Sequence, residues 1–214
     1  MGQERRAMSD YDRPQSSLII RRAIQADAPG MARVVARAFK DKFNPAFGAE
    51  ETAIRALTPY VAAEMTRRGN YVFVATVGDV VVGSVSVSTQ KSIVSGVAGM
   101  FYRAVGFWST ARALIVLSLL SDPAPAPDEA YVEVLGVAPE YQRRGVGRAL
   151  MIAAEEMARS LHKQRLTLYV TANNRAAQTL YLSRGLHVQR QTPSIVGLLL
   201  FHAPGFWRME KALR

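Results

Sequence analysis

The chain has 214 residues, 49% of them apolar and none in a long polar low-complexity tract, which is enough for one well-buried domain. A formal charge of +10 attracts anions, whether nucleotides, nucleic acid or membrane headgroups, without choosing among them. The absence of cysteine excludes disulfides and thiolate chemistry and suits the reducing cytoplasm, and His162, His187 and His202 are too scattered to form a metal-ligand set, so no metal is expected.

Residues 1–16 carry charges but no apolar signal-peptide core, and read as a mobile leader before a single domain over 17–214. "LIIRRAI" (Leu18 to Ile24) predicts a first strand, and Asp27 is placed to cap a helix on which Met31, Val34, Val35 and Ala38 recur at helical spacing. A second helix is expected from Ala49 to Arg67. Two β-branched runs around Gly78-Asp79 then read as an antiparallel hairpin.

Residues 89–129 form an insertion. It holds an apolar stretch from Ala104 to Leu120 that contains Arg112 and falls short of the roughly 20 residues a membrane span needs, so a buried or interfacial helix is expected. "SDPAPAP" closes it as an extended, semi-rigid connection. A strand (Tyr131 to Val137), a helix (Gly147 to His162), a strand (Arg165 to Ala172) and a helix opening at Asn173-Asn174 follow, an alternation that implies parallel pairing. A final hairpin joins His187–Gln191 to Phe206–Leu213, with Trp207, Met209 and Lys211 on one face and Arg208 and Glu210 on the other.

The sharpest local feature is "YQRRGVGRAL", between a strand and a helix. Gly145 and Gly147 allow main-chain N–H groups to approach a ligand closely, and the first N–H groups of a helix, which lack internal partners, suit a phosphate or pyrophosphate. Arg143, Arg144 and Arg148 add positive charge there; alternatively, the glycines only turn the chain and the arginines are solvated. Neither G-x-x-x-x-G-K-[ST] nor G-x-G-x-x-G is present, which argues against a P-loop or a dinucleotide fold.

The spacing Q-x-x-G-x-G after "LGVAP", followed a helix and a strand later by "NNRAAQTLYLSRGL", resembles the GCN5-related N-acetyltransferase (GNAT) superfamily. The order of elements matches from Leu18 to Leu213, and the sharp motifs lie between Tyr131 and Leu186. The resemblance implies an α/β (α+β) fold, a mixed central sheet of about six to seven strands flanked by helices, with the insertion between strands 3 and 4. It implies acetyl-CoA as cosubstrate, its pyrophosphate on the N–H groups from Gln142 to Ala149, Val146 among them, and its pantetheine arm paired with Val137. An N–H near Leu135 would meet the oxyanion.

Asn174, Ala177, Tyr181 and Gly185 match the family's N-x-x-A-x-x-x-Y-x-x-x-G spacing, with Leu186 where phenylalanine is commoner. By that match Asn174 would bind the pantetheine arm and Tyr181 would protonate the departing thiolate; the alternative for Tyr181 is a core residue on a helix face. Glu133 is expected on the same strand face as Tyr131, Leu135 and Val137, either as the base that takes a proton from the acceptor ammonium or as a structural ion pair with an arginine. Tyr131 is a positioning candidate, and Gly136 reads as a bulge or as relief of packing.

The implied acceptor is a small-molecule or peptide amine. The insertion, rich in Phe101, Tyr102, Phe107 and Trp108, would wall its site, or else pack on the sheet or on a second subunit to give a homodimer. Other classes remain as alternatives: a nucleic-acid binder, for which no recognition motif is present, a membrane-surface protein anchored by Arg103–Leu120, and an acyl-CoA binder without catalysis.

Overall fold

A computed structural model describes residues 17–40, 47–90, 98–99, 101–103, 106–107, 110, 125–194, 198 and 203–213. Strand β1 (Leu18–Arg22) pairs antiparallel with β2 (Asn70–Val77), which turns at Gly78-Asp79 into β3 (Val80–Ser88) as the β-branched runs predict. β3 pairs antiparallel with β4 (Glu129–Val137), and β4 runs parallel to β5 (Arg165–Thr171). The last hairpin, β6 (His187–Pro193) and β7 (Gly205–Ala212), adds through β7, so the seven-stranded order is β1-β2-β3-β4-β5-β7-β6. The parallel pair falls where strand and helix alternate in sequence, because a parallel return needs a long crossover.

Helices α1 (Ala28–Ala38) and α2 (Glu50–Thr66) lie on one face of the sheet. Ala28 and Met31 of α1 and Val61 of α2 pack against Val72 and Val74 of β2. Helices α3 (Val146–Ser160) and α4 (Arg175–Ser183) take the other face, where Val146, Leu150, Met151 and Ala154 meet Val85, Val87, Val132, Leu166 and Met209 in the main core. Leu150 and Met151 are fully buried, each contributing about 1.5–3 kcal/mol relative to exposure. Trp207 and Met209 belong to this core while Arg208 faces away to Glu129, as the alternation of β7 predicts.

The predicted cap differs. Asp27 precedes α1 but makes no side-chain bond to it; its carboxylate instead accepts from the Ile24 N–H at 2.8 Å and from both terminal nitrogens of Arg21 at 2.7 and 2.8 Å. It closes the turn Gln25–Asp27 rather than the helix, because its own backbone is already helical (φ −78°, ψ −16°) and cannot aim the side chain at the first turn.

Most of the predicted Ala104–Leu120 helix lies outside the described residues. Within the insertion, Phe101 is buried against Phe47 and Tyr60, with ring centroids 5.8 and 5.9 Å apart, whereas Tyr102 and Phe107 are exposed. Among the described residues no helix is long and apolar enough to cross a membrane.

Candidate active site

β4 and β5 are paired only from Glu129↔Arg165 to Val132↔Leu168. Beyond that point β4 continues through Val137 and β5 through Thr171 without bonding each other, so the sheet opens into a cleft between them. The burial of β4 follows the opening: Tyr131 and Val132 are buried, and Glu133, Val134 and Leu135 become partly exposed.

The divergence begins at a bulge. Val132 pairs with Val87 and Val134 with Ser86, leaving Glu133 as an extra residue with no partner on β3. This corrects the expected faces. Leu135 and Val137 point toward α3, where a Cβ on Gly147 would lie within 3.9 and 3.7 Å of them. Glu133 points the opposite way, to Arg67 just past α2. Tyr131 shares the Glu133 face, because its neighbours Ala130 and Val132 lie in the α3 core, and it meets Tyr169 edge-on at 6.2 Å. The bulge is at Glu133 and not at Gly136, which pairs regularly with Ser84; a Cβ there would lie 3.4 Å from Val34 and 3.5 Å from Ala38, so Gly136 serves the packing of α1.

At the mouth of the cleft β4 passes through the short turn Pro139–Tyr141 into α3. Arg143 (φ +61°) and Gly145 (φ +82°) are both left-handed, a conformation that turns successive N–H groups toward one side. Glycine adopts it freely; for Arg143 it costs about 1–2 kcal/mol. The first backbone bond of α3 runs from the Ala149 N–H to the Gly145 carbonyl, so the N–H groups of Val146, Gly147 and Arg148 have no helical acceptor. Gln142 donates from Nε2 to the Val137 carbonyl at 3.1 Å, tying the turn to the strand end. Arg143, Arg144 and Arg148 are exposed around this point, with Arg144 5.6 Å from the Tyr141 ring centroid. Open N–H groups, positive charge and an adjoining slot fit a diphosphate with an extended arm.

α4 borders the other side, and its sequence sets its ends. Asn174 is the N-cap, its Oδ1 accepting from the Ala177 N–H at 3.1 Å. Gly185 (φ +81°) ends the helix, with the Leu186 N–H on the Tyr181 carbonyl at 3.1 Å and the Gly185 N–H on the Leu182 carbonyl at 2.9 Å. Tyr181 is buried in the main core, and burial pushes its phenol up to about 12. Tyr181 is packed in the core, and it keeps its proton at neutral pH.

Glu133 is not isolated. Arg67 Nη2 donates to Glu133 Oε2 at 2.5 Å and to Glu64 Oε2 at 2.8 Å. Asn70 Nδ2 also donates to Glu64 Oε2 at 3.0 Å, and Ser86 Oγ lies 2.9 Å from Asn70 Oδ1 and 3.4 Å from Glu133 Oε2. Burial, reinforced by Glu133, raises the Glu64 carboxyl above its usual range against the opposing Arg67, and burial with Glu64 raises the Tyr60 phenol. The sequence reading missed Tyr60, Glu64, Arg67, Asn70 and Ser86. Its one available signal was the i,i+3 spacing of Glu64 and Arg67 at a helix end.

Among the described residues no group of three or more His, Cys, Asp or Glu side chains could hold a metal ion. Residues 35–186 match the family model described as the acetyltransferase (GNAT) family. Similar solved structures include the yncA protein of Salmonella typhimurium with acetyl-CoA (TM-score 0.60, 20% identity, covering 92% of this chain and 94% of that one). They also include the PaiA N-acetyltransferase of Thermoplasma acidophilum with coenzyme A (TM-score 0.60, 18% identity, 92% and 99%). The ribosomal-protein-S18-alanine N-acetyltransferase of Escherichia coli is similar too (TM-score 0.55, 18% identity, 92% and 94%). No curated protein sequence matches the chain.

Proposed function

The chain belongs to the acetyltransferase (GNAT) family and is an acyltransferase with acetyl-CoA as cosubstrate; from that premise we propose that it acetylates a primary amine of a small molecule or peptide in the cytoplasm by direct attack on the thioester. The observation that carries this reading is the parting of β4 from β5 beside the start of α3, where the N–H groups of Val146, Gly147 and Arg148 have no helical acceptor. Of the N–H groups from Gln142 to Ala149, the two at the ends are taken by the Pro139 and Gly145 carbonyls, so the diphosphate lies on those between, chiefly Val146, Gly147 and Arg148, with the Arg143, Arg144 and Arg148 side chains around it, and the pantetheine arm follows β4 past Val137. Asn174, whose Oδ1 is taken by the cap, offers its Nδ2 to the arm.

The acceptor enters on the α2 side, where Glu133 faces the split. Glu133 takes a proton from its ammonium, and the neutral nitrogen attacks the thioester carbonyl. As the N–C bond forms, negative charge gathers on the carbonyl oxygen near the Leu135 N–H. The C–S bond then breaks and the sulfur leaves as thiolate; Tyr181 supplies its proton, and the second proton of the nitrogen, shed as the amide forms, returns to the Tyr181 phenolate.

A thiol-release screen of primary amines with acetyl-, propionyl- and longer acyl-CoA tests the reading, run beside Tyr181→Phe. Amine-dependent thiol release is expected, with turnover about 10²-fold lower in the variant. A natively folded protein that binds no coenzyme A species defeats the proposal, binding without release from any amine leaves a carrier, and unchanged turnover in Tyr181→Phe confines that residue to the core.

A further inference from the structure

Two carboxylates share one guanidinium on the acceptor side of the split. Arg67, only 7% exposed at its side chain, contacts Glu133 Oε2 and Glu64 Oε2 through the same Nη2 and bonds Glu64 Oε2 a second time through Nε at 2.8 Å. Glu64 and Glu133 are 15% and 25% exposed, so water screens the cluster only in part. A Glu133 paired with Arg67 alone would be a poor base, because a cation at hydrogen-bond distance stabilises the carboxylate and lowers its affinity for a proton. A second carboxylate on the same cation leaves one net negative charge and restores that affinity.

From this geometry we propose that the proton acceptor is a coupled pair, Glu133 and Glu64 on either side of Arg67, with Glu64 and Arg67 as positioning residues that set the pH at which Glu133 can work. The inference rests on the reading of Glu133 as the base. The charged and titratable groups facing the pair among the described residues are Tyr60, Glu64 and Arg67 from α2 and the turn after it, and Glu133 with its neighbour Tyr131 from β4. β2 and β3 contribute the uncharged Asn70 and Ser86. Asn70 fixes Glu64 through both its carboxylate and its main-chain carbonyl, at 3.0 and 2.8 Å. Burial works against the Arg67 charge, and Glu133 and Glu64 more than offset it, so the cation between them persists at every pH of interest.

Such a pair binds protons in two macroscopic steps that belong to both residues. The experiment follows the glutamate side-chain carboxyl carbons of the whole chain by carbon-13 NMR against pH, with Glu64 assigned by the signal missing from Glu64→Gln. In the unaltered protein the Glu64 carboxyl, raised by burial and by Glu133, should titrate above the ordinary glutamate range and in two steps. In Glu133→Gln it should titrate in one step at a lower pH, and in Arg67→Gln its upper midpoint should rise. A Glu64 signal that follows a single-site curve in the unaltered protein overturns the coupling without any variant, and a midpoint equal in Glu133→Gln and the parent overturns it too. Glu133→Gln retaining full thiol release would defeat the base assignment itself, an outcome separate from either titration result.

Discussion

The two sides of the split in the sheet are built by different means. The side proposed for the acyl donor is made of backbone: two left-handed residues, the first turn of α3 with its N–H groups lacking helical acceptors, and a strand end. Each feature is set by residues within a few positions of it, such as Gly145, Asn174 and Gly185. The side proposed for the acceptor is made of side chains brought together from far apart, Arg67 meeting Glu133 across 66 positions and Ser86 approaching it across 47. Short-range chemistry writes a local pattern into the chain; long-range chemistry leaves none.

Substitutions should separate the two sides. The largest effect is expected from Glu133→Gln, which removes the proposed base and should lower kcat/KM by about 10²- to 10⁴-fold while coenzyme A affinity measured by calorimetry stays unchanged. Parallel losses of both would erase the division between the sides. Next comes Glu155→Gln in α3. Glu155, with 2% of its side chain exposed, braces the end of α4 through Arg184 (2.9 Å) and β7 through Lys211 (2.7 Å), with Arg159 at 3.8 Å, and its loss leaves three cations around one point. Urea unfolding should show about 3–5 kcal/mol less stability.

The same residue gives a pH signature. Burial disfavours the Glu155 charge, but Arg184 and Lys211 outweigh it and hold the folded carboxyl below its usual range. Its stabilisation is therefore present above the ordinary glutamate pKa and is lost as pH falls through the folded value. The gap in stability between the parent and Glu155→Gln should close in acid, and a gap constant with pH would argue against a charged brace.

Smaller effects belong to the donor backbone. Gly145→Ala places a Cβ at φ +82° with no neighbour within 4 Å, so its cost is conformational, about 1–2 kcal/mol, and should appear as weaker coenzyme A binding together with lower stability. Asn174→Ala removes the cap bond to Ala177 and should cost about 1 kcal/mol by the same unfolding assay. If it weakened coenzyme A binding without affecting stability, the side chain would be a ligand contact before it is a cap.

The contrast explains what could be read in advance. Outside the insertion, strand and helix order, the parallel pair and the faces of β7 follow from periodicity, and the structure reproduces them. The face of Glu133 does not, because alternation assumes a regular ladder and the bulge adds one residue, sending Leu135 and Val137 to the side opposite Tyr131. No local residue choice announces that bulge; Gly136, the natural suspect, is regular and packs against α1. The Asp27 side chain went to Arg21 and the Ile24 N–H instead of the helix for a related reason: backbone angles decide where a carboxylate can reach, and composition does not contain them.

The parallel seam between β4 and β5 is four residues long, and among the described residues it is the only strand pairing that joins the β1–β4 meander to the β5-β7-β6 unit. A carrier molecule lodged in the gap would span both units like a wedge glued on two sides, lending its binding free energy to the native state by mass action. The melting temperature should then climb with the coenzyme concentration, and the protein's persistence in a starved cell would fall along with its supply of acyl donor.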